Sequence, residues 1–221
     1  MNIAVISTHT DDETLGCGGT LLKSKSNGDN LYWIIATRIY DNHGYSKDKI
    51  KERDKEIESV SKKYGFSGVF ELGVPTTKLD SIPLGELVKK MSLIFDEVKP
   101  QFIILPFRGD VHSDHRVMFD AGFSCTKSFR YKSIKRVLMM ETLSETEFAP
   151  ALEQCAFIPN YYVDINKFLD KKIEIMKTYK SEIRRHPFPR SEKNIRALAS
   201  FRGASVGCKA AEAFVLLKEI A

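Results

Sequence analysis

Short apolar runs alternate with charge-patterned helical stretches along most of this 221-residue chain. That alternation restricts the fold more than any single residue does. Asn2–Thr8 (NIAVIST) is apolar and β-branched, as a strand covered on both faces would be. A helix is predicted from Leu15 to Ser26, ended by Asn27-Gly28, and Asn30–Thr37 (NLYWIIAT) is predicted as a second strand. Lys47–Tyr64 carries Ile50, Ile57, Val60 and Tyr64 at helical spacing, with Gly65 as its stop. A strand at Gly68–Leu72, a helix at Leu84–Val98, a strand at Gln101–Pro106, a helix at His115–Lys127 and a strand at Val137–Met140 follow in order. The remainder is less regular, with a strand at Tyr161–Ile165 and helices at Lys167–Tyr179 and Ile195–Ala213. Such alternation implies βαβ units, hence an α/β fold with a mostly parallel central sheet and helices on both faces. No linker, repeat or low-complexity block interrupts it, so residues 1–221 are expected to form one domain.

Composition removes several classes of function. Hydrophobic residues make up 43% and charged residues 29%, as in soluble globular chains. Cys17, Cys125, Cys155 and Cys208 are scattered without a CxxC pair, which argues against a disulfide framework or a thiolate metal site. No apolar run is long enough to span a bilayer, and the N-terminus has acids where a signal peptide has bases. A reduced, cytoplasmic protein is the expectation. A net charge of +5 is too small to imply nucleic-acid binding. The excess is uneven, though, with basic clusters at Lys127–Arg136 and Lys180–Arg196. Each is either a solvated face or an attraction for an anionic substrate or membrane surface.

Two motifs carry chemistry. His9-Thr10-Asp11-Asp12-Glu13 directly follows the first predicted strand. Imidazole and carboxylate suit zinc, and of two adjacent carboxylates one can bind metal while the other accepts a proton. Alone, the segment could equally be a turn that caps the next helix. Asp110-Val111-His112-Ser113-Asp114-His115 follows the fourth strand. Its imidazoles stand three residues apart, so on a helical turn they share nearly one face. Three of the five histidines lie in these two segments. Both fall at the carboxyl ends of parallel strands, where open sheets bind ligands.

HTDDETLGCGG resembles the HPDDExLGxGG signature of the PIG-L/LmbE-like family, relatives of the N-acetylglucosaminyl-phosphatidylinositol de-N-acetylases. DVHSDH is similar to that family's second signature, Arg53 and Glu56 to its R-x-x-E helix, and RGASVGCKAAEAF (Arg202–Phe214) to its C-terminal pattern. Thr10 stands where the signature has proline, which would fix φ in the loop. The resemblance implies a Rossmann-like three-layer sandwich and removal of acetyl from an N-acetylated amino sugar. Residue by residue, it implies a zinc ion, or another divalent metal, on His9, Asp12 and His115, with Asp11 as general base. His112 would stabilise the oxyanion as an imidazolium and protonate the leaving amine. Asp114 would orient its neighbours, and Arg53 would contact substrate, with phosphate-bearing sugars among the candidates. A homo-oligomer is a further implication.

Other features have plainer readings. Gly16 lies eight residues beyond Thr8 and, with Gly18 and Gly19, does not form GxGxxG, so close helix–sheet packing is expected rather than dinucleotide binding. Cys17 and Cys208 are expected as small packed residues. His43 (in DNHGY) and His186 (in RRHPFPR) are expected in exposed segments, the latter in a lid or a subunit contact. A hydrolase acting on a non-sugar N-acyl group and a non-catalytic binding protein remain the alternatives.

Overall fold

In the computed structural model, which describes residues 1–221, the strand β1 (Asn2–Ser7) lies inside a seven-stranded sheet. With strands and helices numbered in chain order, β3 (Gly68–Pro75), β2 (Asn30–Arg38), β1, β4 (Phe102–Leu105) and β5 (Arg136–Met140) are neighbours in that spatial order, all parallel. The sheet ends with β7 (Ala211–Glu219), antiparallel to β5, and β6 (Tyr161–Asp164), antiparallel to β7.

Alternate residues of each strand point to opposite faces, and the core divides accordingly. Ile3, Val5, Leu31, Trp33 and Ile35 pack under α1 (Asp12–Ser26), α2 (Lys47–Tyr64), α5 (Leu169–Met176) and α6 (Glu192–Ala204). Ala4, Ile6, Ile34 and Ala36 meet α3 (Leu84–Val98) and α4 (Ser113–Ser124) on the other side. The three-layer α/β sandwich is therefore present as expected.

The glycines of α1 serve packing. A Cβ at Gly19 would stand 2.6 Å from the Ile165 side chain, and one at Gly16 would stand 2.6 Å from Met140 Sδ. The helix also kinks at Cys17 (φ −144°), which releases backbone groups from the helical ladder. Glu212 of β7 accepts the freed N–H groups of Gly19 (2.8 Å) and Thr20 (2.7 Å). Lys172 of α5 donates to the Leu15 carbonyl (2.8 Å) and to Glu212 (2.7 Å). A buried ion pair thus supplies the partners that the kink removes.

The structure corrects three boundaries. The predicted helix Ile195–Ala213 ends at Ala204, a turn with Gly207 at φ +73° follows, and β7 begins at Ala211. Ala211–Glu219 is rich in helix formers, but pairing on both sides with β5 and β6 overrides that preference. The helices α1 and α4 begin at Asp12 and Ser113, earlier than predicted, so each starts inside a motif.

Removing Glu212 while Lys172 stays leaves a buried, unpaired ammonium. Glu212→Ala should lower unfolding free energy by about 3–5 kcal/mol, read from urea denaturation. A loss under about 1 kcal/mol would show that this pair does not hold α1 to the sheet.

Candidate active site

Because β1 and β4 are parallel neighbours, the loops leaving their carboxyl ends meet. The chain goes from β1 to β2 on one side, and from β4 to β5 on the other. A crevice opens where the connections diverge, and both motifs line it.

His9, Asp12 and His115 offer ligand atoms that all lie within 4.8 Å of one another. His115 is fully buried. Its Nδ1 is fixed by Asp110 Oδ2 at 2.8 Å, and Asp110 in turn accepts from Thr146 Oγ1 at 2.7 Å. Its Nε2 lies 3.4 Å from Asp12 Oδ2 and has no hydrogen-bond partner. An orphaned imidazole nitrogen facing a carboxylate and a second imidazole suits a borderline divalent cation. Burial disfavours an imidazolium at His115, yet the Asp12 charge and the Asp110 hydrogen bond together lift its pKa to about 9. Without a cation the two acids draw a proton there instead.

His9, His112 and Asp114 form a second, overlapping group. Asp114 is already engaged: Oδ2 accepts the Thr77 N–H (2.8 Å) and Oδ1 the Leu79 N–H (3.2 Å). Its Oδ2 also lies 3.4 Å from His9 Nε2. Asp114 is fully buried, so it orients His9 and ties down the loop after β3. His115 thus makes the better third ligand.

His112 is not on a helical face with His115. It is the N-cap of α4, in extended conformation (φ −73°, ψ 126°). Its Nδ1 accepts the Asp114 N–H at 3.1 Å, which leaves the ring proton on Nε2. Burial and the adjacent His9 ring hold its pKa below the ordinary histidine value. Nε2 is therefore the ring nitrogen of His112 that the cap leaves free.

Asp11 occupies the left-handed region at φ 131°, ψ −23°. A non-glycine residue there stores about 1–3 kcal/mol, and such strain gathers at functional sites. Glu13 Oε2 accepts the Asp11 N–H (3.2 Å), while Glu13 Oε1 takes hydroxyls from Thr14 (2.5 Å) and Tyr179 (2.8 Å). Burial pushes the pKa of Glu13 to about 7. Burial and the Asp12 charge likewise raise that of Asp11 well above the usual carboxylate value.

A pocket of about 260 Å³ opens over these groups, lined by His9, Asp11, Asp12 and His112, with Tyr45 and Lys49 from the far wall. Arg53 lies in its wall but is only 8% exposed. Its guanidinium donates to Thr10 and Glu182. Sequence reasoning missed Arg190, whose Nη1 stands 2.9 Å from Asp11 Oδ2. Its only signal was membership of a basic, proline-flanked cluster. Asp110 lies within the second motif, but nothing in the sequence signals that it pairs with His115. His43 and His186 lie away from this site, both in exposed segments.

Residues 4–126 match the family described as PIG-L: GlcNAc-PI de-N-acetylase. The chain is 22% identical to diacetylchitobiose deacetylase of Thermococcus kodakarensis over 227 residues, covering 95% of this chain and 80% of that one. It is similar in structure to N,N'-diacetylchitobiose deacetylase of Pyrococcus horikoshii bound to its inhibitor MPG. The TM-score is 0.79 at 20% identity, covering 98% of this chain and 83% of that one. It is also similar to GalB, the 4-carboxy-2-hydroxymuconate hydratase of Pseudomonas putida, with a TM-score of 0.77 at 14% identity, covering 100% and 98%. One fold thus carries different reactions, and the side chains must decide between them.

Asp110→Asn removes the charge that orients His115. It should weaken binding of a divalent cation by about 10–100-fold, measured by competition with a chromophoric chelator. Unchanged affinity would remove Asp110 from the site.

Proposed function

We propose that this chain, which belongs to the PIG-L family by its match over residues 4–126, is a zinc-dependent hydrolase that removes the acetyl group from an N-acetylated amino sugar. The observation that carries this reading is the unpartnered Nε2 of buried His115, gathered with His9 and Asp12 beside Asp11, which lines the same pocket. His9, Asp12 and His115 would hold the ion. Zinc supplies Lewis acidity there, polarising an amide carbonyl and lowering the pKa of water to about 7.

The chain's own residues do the rest. Asp11, adjacent to the ligand Asp12 and facing the pocket, accepts the proton of the attacking water. As water adds to the acetyl carbon, His112 donates its Nε2–H to the developing oxyanion. The C–N bond then breaks, Asp11 returns its proton to the nitrogen, and acetate and a free amine leave. Asp114 keeps His9 in place throughout. The deacetylase activities of the chitobiose-active relatives support this choice of reaction. Other divalent ions fit the same two-imidazole, one-carboxylate set. Phosphate-linked sugars are the finer reading, to which the basic Lys180–Arg196 segment lends support.

Acetate release should be measured with N-acetylglucosamine and with its oligomeric, nucleotide-linked and lipid-linked forms. We expect release from at least one of them by the zinc-loaded protein, and none from any would overturn the reading. Asp11→Ala should cut turnover by about 100-fold or more with metal content retained, whereas His115→Ala should lose the metal. Wild-type turnover in Asp11→Ala would refute the assigned base.

A further inference from the structure

Thr10 is the one departure from the first signature, and the structure gives its side chain a specific partner. Arg53 Nη1 donates to Thr10 Oγ1 at 2.7 Å and also reaches the Thr10 carbonyl at 3.1 Å. Arg53 Nη2 donates to Glu182 Oε1 at 2.5 Å and to Ser181 Oγ at 3.3 Å. The other carboxylate oxygen of Glu182 lies 3.2 Å from Arg190 Nη2, and Arg190 Nη1 returns to Asp11. These contacts close a circuit, Thr10–Arg53–Glu182–Arg190–Asp11, that begins and ends on adjacent residues of one loop. Guanidiniums alternate with carboxyl groups along it.

We propose that Thr10 and Arg53 are positioning residues: the Thr10 hydroxyl, held by Arg53, braces the His9–Asp12 loop by a hydrogen bond where a proline would brace it by restricting φ. Two features require such a brace. Asp11 sits at positive φ, a conformation that persists only where its surroundings over-determine it. Glu13 restrains the Asp11 amide from the helix side, and nothing but this circuit restrains Thr10 through its side chain. Both outer nitrogens of Arg53 are directed to protein acceptors, and its guanidinium stacks over the Tyr179 ring at 5.7 Å. A group so held fixes the geometry of the loop it touches.

The catalytic consequence rests on the deacetylase reading, so the test pairs turnover with a measurement that does not depend on it. In the zinc-loaded full chain, Thr10→Val keeps the shape and removes the acceptor, while Thr10→Ser keeps the hydroxyl. Thr10→Val should lower kcat about tenfold, the scale of one hydrogen bond to a charged donor, with KM within about twofold. It should also speed amide exchange in the peptide covering residues 8–12. Thr10→Ser should restore both. Glu182→Gln should act in the same direction, and its effect combined with Thr10→Val should be less than multiplicative. Wild-type exchange and kcat in Thr10→Val would overturn the brace. So would a rise in KM alone, which would return Arg53 to substrate contact. If the wild-type chain releases no acetate, the functional reading fails while amide exchange still decides the brace.

Discussion

The parallel pairing of β1 with β4 is the contact from which the site follows. Ile3, Ala4 and Val5 stand in register with Phe102, Ile103 and Ile104, and the next residues on each strand run toward the same edge of the sheet. Two loops about a hundred residues apart in sequence therefore deliver their side chains to one crevice. The connections leave in opposite directions, so no crossover helix covers the place where they part. Apolar registration in the core thus sets polar geometry at the rim.

Burial then makes that geometry costly to lose. Asp11, Asp12, Glu13, Asp110, Asp114 and His115 are all nearly inaccessible, and a charge in such surroundings survives only if it is partnered. The partners come from the far end of the chain as much as from the motifs. Arg190 meets Asp11, Tyr179 meets Glu13, and Glu182 joins two arginines across the pocket wall. The segment between α5 and α6 is therefore part of the site's electrostatics, although it lies beyond the residues that match the family.

Much of this was legible from local pattern. β1 to β5 and the helices between them announce themselves by apolar period and by end signals such as Asn27-Gly28 and Gly65, and those signals are local by nature. The candidate metal ligands His9, Asp12 and His115 were legible because they sit in dense polar segments immediately after apolar strands. β7 was not, since Ala211–Glu219 has the composition of a helix and its partners are remote in sequence. Arg190 was not, since nothing within ten residues of it refers to Asp11. The cap position of His112 was also hidden, because residue spacing alone reads it as a helical face. Spacing reveals which groups can meet; it does not reveal which hydrogen each carries.

The place of β7 in the sheet has a consequence for the order of assembly. β6 has no neighbour other than β7, and β7 lies between it and β5. Until residues 211–219 have left the ribosome, β6 has nothing to pair with, β5 presents an open edge, and the kink of α1 lacks the carboxylate that caps it. That helix starts at Asp12, so the ligand loop's own anchorage waits for the strand as well. The first motif is thus synthesised well before the strand that caps its helix. During translation the nascent chain holds the acids and imidazoles of the site without the framework that brings them to bear.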